Sequence, residues 1–150
     1  MLKIIFTGVF ILAGLSFSIF AQDKTIVSDA GAKKMLLGKH LFSLQWISWD
    51  YFGAATVTDK KGVLYLKGEQ KQRGGTDFVR IDGTIISVAK KEFVFDGTIV
   101  TQISYINNGE ACTRTGEMTF ARSGKRKYWR LQAIDNPCDE AADYVDIYFR

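Results

Sequence analysis

Ile81-Asp82-Gly83-Thr84-Ile85-Ile86-Ser87 recurs fourteen residues later as Phe95-Asp96-Gly97-Thr98-Ile99-Val100-Thr101. The two copies decide the topology. Asp-Gly suits a two-residue hairpin turn, so each copy could reverse the chain on itself. The other solution is a pair of long strands, Asp77 to Ala89 and Glu92 to Ile106, turning at Lys90-Lys91. In that register residues i and 181 − i face each other, with Gly83 opposite Thr98 and Gly97 opposite Thr84, so the copies pair with one another. Phe93, Phe95, Gly97, Ile99, Ile103 and Tyr105 then share one face, whereas the hairpin solution places Gln102 beside the apolar group. The long-strand solution is the expectation, with the glycines permitting a sharp bend or bulge.

The same period of two extends outward in both directions. His40 to Trp49 reads as a strand with Phe42, Leu44 and Trp46 on one face, and Asp50 to Gly53 turns the chain. Ala54 to Asp59 and Val63 to Gln70 form a hairpin across Lys60-Lys61-Gly62, where glycine supplies positive φ. Lys71 to Thr76, with Gly74-Gly75, reads as the most mobile loop. After the turn at Asn107-Asn108-Gly109, Glu110 to Ala121 alternates Cys112, Met118 and Phe120 with Thr113, Glu117 and Thr119. Arg114 falls on the apolar side. Ser123-Gly124 reverses into Arg126 to Ile134, with Trp129, Leu131 and Ala133 on one face, and Tyr144 to Phe149 points Val145, Ile147 and Phe149 one way. That makes eight strands. One short helix precedes them, capped by Ser28 or Asp29, running over Ala30 to Leu37 and ended by Gly38.

At the other extreme of the chain, Lys3 is followed by an uncharged, mostly apolar run from Ile4 to Phe20, with Ala21-Gln22 where cleavage would fall. This pattern reads as a secretory signal peptide over residues 1–21, with an uncleaved anchor as the alternative. Gln22 to Arg150 suits one domain. Its nineteen Lys and Arg stand against sixteen Asp and Glu, a formal net of +3, because Lys3 is the leader's one charge. So mild an excess, with acidic residues in most segments, argues against nucleic-acid binding, and export to the periplasm or medium argues further against it. Outside the cytoplasm the cysteines, Cys112 and Cys138, are expected to be joined. Antiparallel pairing about Ser123-Gly124 brings Cys112 near Asp135, beside the loop containing Cys138. In that loop Asn136 is placed to cap a helical turn begun by Pro137.

Eight successive strands with short connections predict an all-β fold, a single antiparallel up-and-down barrel whose closure removes exposed edges, with the short helix at one mouth. A two-sheet sandwich is the alternative. The layout resembles that of the calycin group, the lipocalins and their relatives. The Gly38 to Trp46 stretch resembles a lipocalin first strand, with a longer spacing than the usual Gly-x-Trp. Layout alone transfers no site residues.

No residue pattern singles out a reaction, and no catalytic residue, cofactor or metal is assigned. His40 is the chain's one histidine and has no nucleophile motif beside it. Asp82 and Asp96 could act as a carboxylate pair if suitably separated. Asp135, Asp139, Glu140, Asp143 and Asp146 crowd the C-terminal loop, but their spacing does not match an EF-hand. The expected function is therefore non-catalytic binding of a small apolar or amphipathic molecule inside the barrel. Phe42, Leu44, Trp46, Phe95, Ile99 and Trp129 would line that interior, and Arg114 would greet an anionic head. Loops Asp50 to Gly53 and Lys71 to Asp77 would form its mouth. The alternative is a secreted interaction or inhibitor module that grips an extracytoplasmic protein with Trp49, Tyr51 and Phe52, or with the basic tip of Lys125, Arg126 and Lys127. In either case the membrane enters through the leader segment.

Overall fold

In the computed structural model, which describes residues 23–150, the alternating segments close into an eight-stranded antiparallel barrel with one added strand and one short helix. The elements are β1 (Ile26–Val27), α1 (Ala30–Leu36), β2 (Gly38–Leu44), β3 (Gly53–Lys60), β4 (Val63–Lys71), β5 (Phe78–Val88), β6 (Glu92–Gln102), β7 (Cys112–Ala121), β8 (Tyr128–Leu131) and β9 (Val145–Tyr148). Each strand from β2 to β9 pairs with its chain neighbours, and β9 returns to β2 through Phe42↔Ile147 and Leu44↔Val145. The leader expected over residues 1–21 lies outside the described residues.

The repeated heptads occupy two long strands, β5 and β6. The strands pair as Ile81↔Ile99, Asp82↔Thr98, Gly83↔Gly97 and Thr84↔Asp96, one residue away from the expected register. Nearer the Lys90-Lys91 turn the expected register does hold, with Ser87↔Val94 and Val88↔Phe93, and a bulge between Ile85 and Ser87 takes up the difference. Gly83, Gly97 and Gly116 thus lie in one row across β5, β6 and β7. Space explains the first two. A Cβ on Gly83 would sit 2.3 Å from the Asp96 carbonyl oxygen and 2.8 Å from the Phe95 ring, and one on Gly97 would meet the same ring at 2.6 Å. The Phe95 ring lies over both glycines, inside the barrel.

Several boundaries differ from expectation for local reasons. The first barrel strand stops at Leu44 instead of Trp49, because the Leu44 carbonyl accepts the Ile47 N–H and the Leu44 N–H is taken by the Gln70 side chain. β6 stops at Gln102 instead of Ile106, because the Asp77 carboxylate accepts both the backbone N–H and the hydroxyl of Ser104. Tyr105 is consequently 65 % exposed and does not share the inner face of Ile99. β8 ends at Leu131, leaving Ala133 exposed, and pairs with β7 as Phe120↔Leu131, four residues out of the expected register. The bridge between Cys112 and Cys138 forms nonetheless. Asn136 caps a turn at Cys138, not a helix. β1 was not expected; it adds in parallel to the end of β5, where β4 has already stopped.

α1 starts with the Asp29 carboxylate accepting the Ala32 N–H at 2.7 Å and ends as Leu37 turns extended before Gly38 at φ 103°. Its Ala32 and Leu36 join the barrel core. Inside, Phe93 stacks on Phe120 at 5.1 Å between ring centres, Phe95 meets Phe120 edge-on, and Trp129 meets Phe93 and Phe149 edge-on. Aromatic pairs in these geometries add to the gain from burial alone.

Candidate functional site

Antiparallel order with short turns places every second connection at the same end of a barrel. At one end lie the β3–β4 turn with Lys61-Gly62, the β5–β6 turn with Lys90-Lys91 and the β7–β8 turn from Arg122 to Lys127. The residues in these turns are basic, and Lys61, Lys90, Lys91, Lys125, Arg126 and Lys127 are all exposed. Arg150, following β9, and Lys34, on the last turn of α1, reach the same end, where the Arg150 guanidinium donates to the Lys34 carbonyl. The opposite end collects Asp50, Glu110, Asp135, Asp139 and Glu140 beside Lys71 and Arg73, so the exposed charge is unevenly distributed along the barrel axis.

The basic end is also indented. Arg122, Lys125, Arg126 and Lys127 with Met35, Phe149 and Arg150 line a hollow of about 430 Å³, and a second of about 400 Å³ adjoins it through Met35 and Arg150. Arg122 lies over the Phe149 ring at 5.6 Å and Arg126 over Tyr128 at 5.7 Å, contacts that hold the guanidinium groups near aromatic faces. Among the described residues none of Lys34, Arg122, Lys125, Arg126, Lys127 and Arg150 has a carboxylate within ion-pair distance. Asp59 at this end is engaged by Lys33 at 2.7 Å, and Asp29 serves as the helix cap.

Elsewhere the buried charges are spent on one another. Arg114, 8 % exposed, donates to the Asp143 carboxylate at 2.8 Å and to the Asp135 carbonyl at 2.9 Å. Asp143 also accepts from the Asn136 amide and the Trp46 indole N–H. Arg114 is therefore the centre of a closed polar cluster beside the disulfide, and both of its terminal guanidinium nitrogens have internal acceptors. Arg130 grips Asp146 through two parallel bonds of 2.7 Å, which raises the Arg130 pKa further. These pairings account for Asp143 and Asp146 of the acidic loop, while Asp139 accepts the Asn107 N–H. Among the described residues no three such side chains converge as a metal site.

The other singled-out residues fall in separate places. Phe42, Leu44, Phe95, Ile99 and Trp129 are 0–3 % exposed and belong to one packed core, whereas Trp46 sits half-buried in a turn. His40 is buried, edge-on to Trp129, with its ring nitrogens 2.7 Å from the Leu36 carbonyl and 2.9 Å from that of Tyr148, so it ties α1 to β9. Asp82 and Asp96 point outward on β5 and β6, with Asp82 beside Lys67. The loops expected at a mouth do meet: the Arg73 N–H donates to the Tyr51 hydroxyl and the Arg73 guanidinium covers the Tyr51 ring at 4.2 Å. Phe52 packs on Tyr148, so of the aromatic trio Trp49 alone is largely exposed. Trp49 and the Lys125 to Lys127 tip lie at opposite ends of the barrel and cannot form one surface. Sequence reading missed Lys34, Met35, Phe149 and Arg150 as neighbours of that tip, although the lysines of alternate turns were a usable signal.

A family model described as the PM1083 family matches residues 24–149, nearly the whole of the described chain. The chain belongs to the PM1083 family. A relative in Pasteurella multocida (strain Pm70), the uncharacterized protein PM1083, is 43 % identical over 134 residues, covering 88 % of this chain and 86 % of that protein. No solved structure matches the chain significantly. The PM1083 family match spans the whole barrel, from Lys24 beside the β3–β4 turn to Phe149 in the basic hollow. Among the described residues no helix is long and apolar enough to cross a membrane, and the disulfide is consistent with an exported protein.

Proposed function

We propose that this PM1083 family member is an exported, non-catalytic binding module that recognises an anionic partner with the basic end of its barrel. The observation that carries this reading is the cluster of Arg122, Lys125, Arg126, Lys127 and Arg150 around an open hollow, without a carboxylate partner among the described residues. Cations left unpaired inside a concave surface raise the local concentration of anions and steer them inward. Export is supported by the leader-like residues 1–21 together with the disulfide. A small molecule held in the interior has less support, since Phe42, Leu44, Phe95, Ile99 and Trp129 are packed against one another.

The test is retention on immobilised heparin, a soluble polyanion. The variant Lys125→Gln, Arg126→Gln, Lys127→Gln should elute at clearly lower salt than wild type. An equal loss of charge on the barrel flank and opposite end, Lys67→Gln, Lys71→Gln, Arg73→Gln, should change elution little. Equal weakening in both variants would show that net charge acts without a site.

A further inference from the structure

We infer that the partner is a plane of anionic phospholipid headgroups, against which the basic end docks face-on; this rests on the reading of that end as the binding surface. The first reason is the spread of the cations. Lys61, Lys90, Lys91 and Lys125 sit on three separate hairpin tips. A small anion is bound by donors that converge on one point, as Arg114 and Asn136 converge on Asp143. Turns distributed around a rim instead match an extended charged surface, where each Lys or Arg contributes separately and only within a Debye length.

The second reason is where Lys24 and Thr25 lie. Thr25 donates its N–H to the Gly62 carbonyl, and the Lys24 side chain lies against Gly62 itself. The apolar run Ile4 to Phe20 precedes Asp23, so while the leader is still attached it holds the chain at the bilayer from the barrel's basic end. Thirdly, exposed apolar side chains lie at the same end. Ile26 and Val27 on β1 adjoin the end of β5, and Met35 projects from α1 into the hollow. A surface that pairs lysines with a few exposed aliphatic groups is suited to the boundary between headgroups and acyl chains. Acidic residues also lie at or near this end, Asp96 among them, beside Asp23 and Ile26. Asp59 and Asp29 are engaged within the protein, and Asp23 and Glu92 are outnumbered by the turn lysines.

The experiment is co-flotation of the protein, purified from its producing cells, with vesicles of phosphatidylcholine alone or with about one third phosphatidylglycerol. The wild type should partition about tenfold more strongly onto the anionic vesicles. Lys61→Gln, Lys91→Gln, Lys125→Gln, Lys127→Gln should remove that preference, while Lys67→Gln, Lys71→Gln, Arg73→Gln, Arg80→Gln, which removes as many charges elsewhere, should keep it. Circular dichroism verifies that both variants are folded. Equal partition onto the two vesicle types, or equal loss in both variants, overturns the inference. So does displacement by inorganic phosphate at constant ionic strength, which would indicate a point-anion site. Retention on heparin through the basic end without vesicle binding overturns the bilayer alone and leaves the anionic partner standing. Loss of both overturns the two readings together.

Discussion

Asp143 holds more of the structure in place than its position in an acidic loop suggests. It is the countercharge of Arg114 and the acceptor for Trp46 and Asn136, all within one buried cluster. Removing one member of such a pair strands the other charge away from water. Asp143→Ala should therefore lower stability by about 3–5 kcal/mol in urea unfolding, with Arg114→Met, Asp143→Leu together costing less than the sum of the single changes. Gly97 is sensitive for a different reason. A methyl group there meets the Asp82 carbonyl oxygen at 2.4 Å and the Phe95 ring, so Gly97→Ala should cost on the order of 3 kcal/mol and shift the Phe95 ring resonances. At this scale the sequence was partly legible. The alternation placed Arg114 on the inner face, but its partner Asp143 lies twenty-nine residues away on a loop without periodicity. Asp77 and Gln70 were not recognisable at all, since a carboxylate that ends one strand and an amide that ends another act through backbone positions fixed only by the closed barrel.

Among the elements, β5 and β6 were the most readable, because the duplicated Asp-Gly-Thr core had to choose between turning and pairing. Its pairing came out one residue displaced because a bulge leaves no mark in composition: Ile86 is an ordinary strand residue, and only the two registers on either side reveal it. The strands at β2 and β8 were read too long for a related reason. Apolar alternation continues into Trp46 and Ala133 after the ladder hydrogen bonds have ended. For α1 a cap at Ser28 or Asp29 was legible, the structure uses Asp29, and Asp29→Ala should cost about 1 kcal/mol in urea unfolding. The helix is also pinned to the β3 tip by Lys33 and Asp59. The Lys33 ammonium, aided by the Gly62 N–H, holds the Asp59 carboxyl below the usual carboxylate range. A carboxyl depressed in the folded state supports folding above its unfolded value and loses that support as pH falls through the folded one. Acidification below about pH 4 should thus move the Met35 methyl resonance on the same helix, and Asp59→Asn should abolish that movement.

At the scale of the whole molecule the wall is uneven. β5 and β6 share ten residue pairs and β6 and β7 another ten, but β7 and β8 share two. Amide hydrogen exchange should accordingly be slowest in β5, β6 and the β6-facing side of β7, and fastest for the ladder amides of β8. The barrel and its strand order were legible because every turn signal was short and strands that succeed one another tend to pair. The basic end was not read as a unit. Its residues are scattered over the chain from Lys34 to Arg150, and it takes the closed topology to show that alternate turns share one rim.

The narrow β7–β8 join is crossed at its open end by Cys112 and Cys138 and by the grip of Arg114 on the strand-to-strand loop. With the two cysteines 26 positions apart in sequence, breaking that bridge should cost about 3 kcal/mol, measurable as a lower urea midpoint in reductant or in Cys112→Ser, Cys138→Ser. The last hem of the cylinder is thus sewn by oxidation more than by backbone ladder. A thiol-keeping solvent leaves it unstitched, so the redox poise of the surroundings also sets the moment at which its shape becomes final.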